Sequence, residues 1–227
     1  MKKALYFWLF PRKCIACGRV IDYRQAYCDG CRQKMPFIGE ERCEMCGCAL
    51  KDCRCKKKKM NYDAVLAPFY YSGGAKHAVL RLKRYPIYAK PLAEECVAVF
   101  KSYYGSIPFD AVCAVPMSRQ RLKQSSFNHS ALLAREIATH LQLPYKAYLR
   151  LCAKAKPQHT LPMQFRAGNV RGIYDIIEGA DLQNKTVLLV DDIKTSGATL
   201  SECALMLKLG GAKSVYALCV SITNRGQ

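Results

Sequence analysis

Residues 187–200 read VLLVDDIKTSGATL, and no other stretch limits the fold as tightly. Val187, Leu188, Leu189 and Val190 form an apolar run bounded by polar residues. That is the mark of a strand buried on both faces of a parallel sheet. The adjacent carboxylates Asp191 and Asp192 stand where such a strand is expected to end. A short Thr/Ser/Gly loop follows, and then a helical pattern. Open α/β sheets bind ligands outside the carboxyl ends of their strands, so this segment puts acids and a phosphate-sized loop at the usual binding edge.

The loop Thr195-Ser196-Gly197-Ala198-Thr199 is built from small residues with hydroxyls. Gly197 lets a ligand approach the main chain. The helix after it carries unpaired N–H groups and a partial positive charge at its start, which together favour a phosphate. Asp191 and Asp192 repel a phosphate and suit sugar hydroxyls, or a magnesium ion held through oxygen ligands. A phosphate on one side and a diol on the other describes a ribose 5-phosphate. The competing reading is a strand, a tight turn and an N-capped helix without a ligand, since Asp, Thr and Ser are ordinary caps. Neither GxxxxGK[ST] nor GxGxxG is present, so this is neither a P-loop nor a dinucleotide fingerprint.

The rest of the second half alternates strand and helix patterns. Strands are expected at 63–71, 110–116, 172–177, 187–192 and 214–222, and helices at 75–83, 88–103, 128–141 and 199–209. This βαβ rhythm argues for a mainly parallel sheet with helices on both faces. The loop after the strand at 110–116 offers Ser118, Arg119 and Arg121 at the same sheet edge, and guanidinium forks suit diphosphate oxygens. A second polar loop, 158–172, carries Arg166 and Arg171 and reads either as a lid or as a docking surface for a polyanion.

Nine of the 14 cysteines precede residue 56. Cys14, Cys17, Cys28 and Cys31 form two CxxC knuckles, enough for a tetrahedral structural zinc site. Cys43, Cys46, Cys53 and Cys55 form a second set with CxC in place of one CxxC, and Cys48 is left over as an alternative ligand. A closed four-thiolate site has no free position for water and serves folding. Disulfides are the alternative, disfavoured in a reducing compartment. Cys96, Cys113, Cys152, Cys203 and Cys219 lie in apolar contexts and read as buried hydrophobes. The division expected is a Cys-rich module with a basic linker at 1–60 and an α/β domain at 61–227.

The formal net charge is +19, a balance that favours polyanionic partners, nucleic acid above all. The linker Lys56-Lys57-Lys58-Lys59 reads equally as a solvated hinge and as a phosphate-backbone contact. The opening MKKALYFWLFPRK has too short an apolar run to span a bilayer and no small-residue cleavage site. A cytoplasmic chain is expected, with transient membrane contact as a lesser alternative.

Residues 187–200 resemble the phosphoribosyl-diphosphate (PRPP) motif of type I phosphoribosyltransferases. In that family the acid pair holds the ribose hydroxyls and the loop the 5-phosphate, which implies such phosphate- and ribose-binding roles for Asp191, Asp192, Lys194 and residues 195–199. Lys194 departs from the apolar or small residue usual there. With LFPRKCIACG at 9–18, LRLKRY at 80–85, VPMSRQRLKQSSFNHS at 115–130, PQ at 157–158 and FRAGNVRGIY at 165–174, the whole chain resembles the ComF family. Those are phosphoribosyltransferase-like proteins of bacterial DNA uptake. Ser126 replaces a usual Gly, and His159-Thr160-Leu161 replaces a frequent Ser-Gly-Leu.

The resemblance implies a cytosolic factor that binds single-stranded DNA beside a DNA-translocating ATPase, with PRPP or ribose 5-phosphate in its pocket. Lys56, Lys57, Lys58, Lys59, Arg166 and Arg171 are then the expected nucleic-acid contacts. The alternative is an active phosphoribosyltransferase in which Asp191 and Asp192 orient the ribose and Arg119 with Mg²⁺ draws off diphosphate. A zinc-stabilised scaffold with a vestigial pocket is the third.

Overall fold

Alternate residues of the run 187–190 face opposite sides of a sheet and bury against different helices. The computed structural model describes residues 11–22, 25–55, 59–117, 122, 125, 127–152 and 173–224. Its strands are β1 (Ala64–Leu66), β2 (Phe69–Tyr70), β3 (Ala111–Ala114), β4 (Leu149–Leu151), β5 (Tyr174–Ile176), β6 (Thr186–Lys194) and β7 (Ser214–Ile222). Its helices are α1 (Asp29–Gln33), α2 (Gly73–Leu82), α3 (Ala89–Tyr104), α4 (His129–Leu141) and α5 (Ala198–Leu209).

The main sheet runs β1-β7-β6-β3, with β2 also on β7, and every pair is parallel. Leu188 and Val190 join a core with α2, α3 and α4. Val187 and Leu189 join a second core with α5. This two-sided burial explains a continuous apolar run where a one-faced strand would alternate. The α/β architecture with helices on both faces is the one the sequence implied.

Three expectations change. The single strand at 63–71 is two short strands in line along β7, interrupted at Ala67 and Pro68. Proline has no N–H for the ladder. The strand at 172–177 does not join the parallel sheet, because β5 pairs antiparallel with β4 in a separate two-stranded sheet. β4 itself, a three-residue strand, carries too short a pattern to be read from sequence. Finally, β6 does not stop at Asp192 but continues to Lys194, with Ile193 beside Ser221 and Lys194 beside Ile222.

The cysteine-rich segment straddles the edge of the sheet. Cys14, Ile15, Ala16, Tyr27 and Met35 pack into the α2/α3 core. Ile38, Cys48, Ala49 and Tyr62 pack into the α5 core on the other side. Between them, Phe37 bridges antiparallel to Phe69 on β2. Arg81 of α2 donates to the carbonyls of Cys14 and Ile15 at 3.1 and 3.3 Å. Arg42 donates to the carbonyls of Ala67 and Ile38 at 2.5 and 2.8 Å. Among the described residues, no helix is long and apolar enough to cross a membrane.

Candidate functional site

β3 pairs with β6 only as far as Ala114 beside Val190, so among the described residues β6 passes Asp191 and Asp192 with no strand paired on that side. The N-terminus of α4 fills part of the gap. Asn128 caps α4 by accepting from the Ala131 amide at 3.0 Å. The next two residues then meet the acid pair. Ser130 Oγ donates to Asp191 Oδ1 at 2.9 Å, and His129 Nε2 lies 3.1 Å from Asp192 Oδ2. From the end of α2, Lys83 Nζ reaches the same Asp192 oxygen at 3.0 Å. The last two are charge contacts rather than aligned hydrogen bonds.

The carboxylates also hold their own strand. Asp191 Oδ1 accepts the Asp192 amide at 2.9 Å, and Asp192 Oδ1 accepts the Ile193 amide at 2.7 Å. Their surroundings drive them apart electrostatically. Burial raises Asp191, and the charge of Asp192 raises it further, to about 8. Burial acts in the same sense on Asp192, but His129 and Lys83 outweigh it and hold its carboxyl well below the usual range. Of the pair, Asp192 is the readily ionised member and Asp191 the one that holds a proton more tightly.

The loop follows directly. Thr195, Ser196, Ala198 and Thr199 are exposed, while Lys194 and Gly197 are buried. Gly197 sits at the N-cap of α5 with φ +80°, a conformation that L side chains avoid. Having no side chain, it leaves the start of α5 open, and Ser196 Oγ takes the Ala198 amide at 3.2 Å. A Cβ on Gly197 would lie 3.1 Å from both Lys194 Cε and Tyr62 Oη. Lys194 therefore forms the floor of the loop instead of lining it, and its charge interacts with Cys48.

That floor belongs to the cysteine-rich segment. Tyr62 Oη donates to the Met45 carbonyl at 2.8 Å. The Asn61 amide and its side chain bond to Ser201 Oγ on α5, both at 3.0 Å. Gly47, in the turn after Cys46, leaves no room for a Cβ, which would lie 2.9 Å from the Val65 carbonyl oxygen and against Ile222. The second knuckle, the residues after the linker and the phosphate-type loop thus form one packed unit.

Two quartets of sulfurs are preformed, Cys14, Cys17, Cys28 and Cys31, and Cys43, Cys46, Cys53 and Cys55. Zn–S bonds of ~2.3 Å in a tetrahedron place sulfurs roughly 3.8 Å apart. The structure has Cys17 to Cys28 at 3.8 Å, Cys43 to Cys55 at 3.7 Å, Cys46 to Cys53 at 3.6 Å and Cys53 to Cys55 at 3.5 Å. Disulfide sulfurs would be ~2.05 Å apart, and every cysteine is free. The donor sets fit structural zinc. Cys48 belongs to neither quartet and is buried. The knuckles repeat one geometry. Gly18 and Gly47 follow Cys17 and Cys46 with φ +79° and +75°. Lys13 bridges Val20 just as Arg42 bridges Ala49.

Of the other expected site residues, Lys59 is exposed, and Lys56, Lys57, Lys58, Ser118, Arg119, Arg121, Arg166 and Arg171 lie outside the described residues. Cys96, Cys113, Cys203 and Cys219 are buried as expected, whereas Cys152 is only partly so. Lys83, His129 and Ser130 are the additions. Each meets the acid pair only through tertiary packing, although LRLKRY and the residues around Phe127 held the signal.

Residues 5–61 match the model of the double zinc ribbon domain. A "DNA utilization protein YhgH" of Salmonella typhimurium is 26% identical over 218 residues, covering 92% of this chain and 90% of that protein. "Competence protein F" of Haemophilus influenzae is 21% identical over 218 residues, 91% of this chain and 95% of that one. With the Escherichia coli K12 "DNA utilization protein YhgH", identity is 30% over 116 residues, so the match spans about half of each chain. Among solved structures, adenine phosphoribosyltransferase of Saccharomyces cerevisiae gives a TM-score of 0.42 at 17% identity, covering 64% of this chain and 72% of that one.

Proposed function

We infer that this ComF-like chain, a double zinc ribbon joined to a phosphoribosyltransferase-like sheet, serves in uptake and processing of transforming single-stranded DNA and holds PRPP or ribose 5-phosphate in its pocket. The relatives named for competence and DNA utilization support the first part. The acid pair in the gap beside β3, followed at once by the open start of α5, carries the second.

In this reading, Asp191 and Asp192 meet the ribose hydroxyls, and Asp191, whose burial favours its protonated form, can donate as well as accept when it holds a proton. Thr195, Ser196 and Thr199 join the first amides of α5 around the 5-phosphate. Ser118, Arg119 and Arg121 take the diphosphate. A Mg²⁺ ion would be held by the diphosphate oxygens of the ligand, because Asp192 Oδ2 is already engaged by Lys83 and His129. The zinc ions serve folding. Lys56, Lys57, Lys58, Lys59, Arg166 and Arg171 contact the DNA, in the cytoplasm beside a DNA-translocating ATPase.

The test pairs PRPP titration with single-stranded DNA binding, in wild type and in Asp191→Ala/Asp192→Ala. The reading expects both ligands to bind the wild type and the variant to lose PRPP but keep DNA. Diphosphate release with an added base would identify an active transferase. Absence of binding for both ligands would leave only the zinc-stabilised scaffold.

A further inference from the structure

Residues 64–93 contain five Lys or Arg and no Asp or Glu. Lys76, His77 and Leu80 are exposed on the outer face of α2, and Arg84, Tyr85, Pro86 and Ile87 continue that surface beyond its end, followed by Lys90. Three large apolar side chains stand out into solvent here, Leu80 at 43%, Tyr85 at 55% and Ile87 at 77%. The rings of Tyr85 and Tyr88 lie 6.3 Å apart, which limits where Tyr85 can point. Among the described residues, Lys76, Arg84 and Lys90 have no acidic partner, and all 17 Asp and Glu residues are described. Lys83, directly before Arg84, turns its ammonium group to Asp192 at 3.0 Å.

We propose that this surface is the track on which a single strand of nucleic acid lies, with its bases on Tyr85, Ile87 and Leu80, its phosphates on Lys76, Arg84 and Lys90, and its path leading to Asp191 and Asp192. Unpaired cations interleaved with flat or apolar side chains are what a single strand needs, since every base has a stacking face and every link a charge. An anionic membrane also attracts cations and apolar groups. The cations here stand beside Lys83, which reaches the acid pair at the end of β6, so a chain laid along them arrives at a site with sugar- and phosphate-type donors, which a lipid surface does not require. The proposal rests on the DNA-binding reading above, and it moves the main contact from the lysine linker to α2 and the turn after it.

The experiment measures anisotropy of a labelled oligothymidylate over a range of salt concentrations, on the full chain with zinc bound. Tyr85→Ala/Ile87→Ala is expected to weaken binding by about tenfold or more, and Tyr85→Phe to keep it. Arg84→Ala should lower the salt slope by about 0.7. Zinc content and thermal midpoint should stay at wild-type values, because these side chains are exposed. If the wild type binds no DNA, the proposal and the reading beneath it fail together. If it binds and all three variants match it, the track fails while the DNA-binding reading stands. If the variants lose only binding to phosphatidylserine vesicles, the surface is a membrane contact and the proposal is overturned.

Discussion

Lys83 and Asp192 meet at 3.0 Å although Lys83 caps the end of α2 and Asp192 lies near the end of β6, one of the two nine-residue strands at the centre of the sheet. The contact fixes the ionised member of an acid pair from outside its own strand. His129 does the same from the start of α4. Sheet, α2 and α4 therefore converge on one carboxylate.

Removing Lys83 should cost stability. Asp192 is nearly buried, while the Lys83 side chain is about a third exposed. Water screens part of the loss, so Lys83→Met should lower stability by about 1–2 kcal/mol, less than for a fully buried pair. His129→Ala should cost a similar amount. The double variant should depart from additivity, because both residues serve the same oxygen. Urea unfolding of the four proteins measures this.

The acid pair should impose opposite pH dependences. Asp191 has a folded pKa raised to about 8, above its unfolded value of ~3.9. Its stabilising contribution is fully present below ~3.9, falls as pH rises from there, and is gone above about 8. Asp192 is lowered, so its contribution is present above the ordinary carboxylate range and is lost on acidification. Asp191→Asn should therefore flatten the decline in thermal midpoint between about pH 4 and pH 8 and leave the limb below about pH 4 in place. An unchanged decline across that range would show that Asp191 is not the group titrating there.

Zinc and the loop should be coupled unequally. Two quartets predict about two zinc ions per chain. Cys53→Ser should lose one zinc and weaken PRPP binding, because Tyr62 ties the second knuckle to the floor under Gly197. Cys17→Ser should lose the other zinc and disturb mainly the α2 side, through Arg81. Metal analysis with PRPP titration separates the two, and equal losses of affinity would contradict the coupling.

Gly197→Ala combines positive φ with a Cβ crowded by Lys194 and Tyr62. It should lower stability by about 1–3 kcal/mol and reduce PRPP affinity at least as much as loss of one loop hydroxyl. Thr199→Ala provides the comparison, since Thr199 is exposed.

The sequence showed the strand, acid pair, loop and helix of the candidate site because burial on both faces demands a continuous apolar run and the turn demands Gly197. The sulfur quartets were legible for a similar reason, since ligand spacing is local. Lys83, His129 and Ser130 were not legible as partners, because nothing in α2 or α4 alone says which strand end they will meet. The antiparallel pairing of β5 was hidden by the shortness of β4. Lys194 looked out of place in a phosphate loop until β6 proved two residues longer and carried it under the ribbon.

Calorimetric titration of PRPP with Mg²⁺ into the zinc-loaded chain, against Asp191→Asn/Asp192→Asn, tests the pocket most directly. The account predicts saturable binding to the wild type and none to the variant. No heat of binding with the wild type, or equal binding by both proteins, would contradict it.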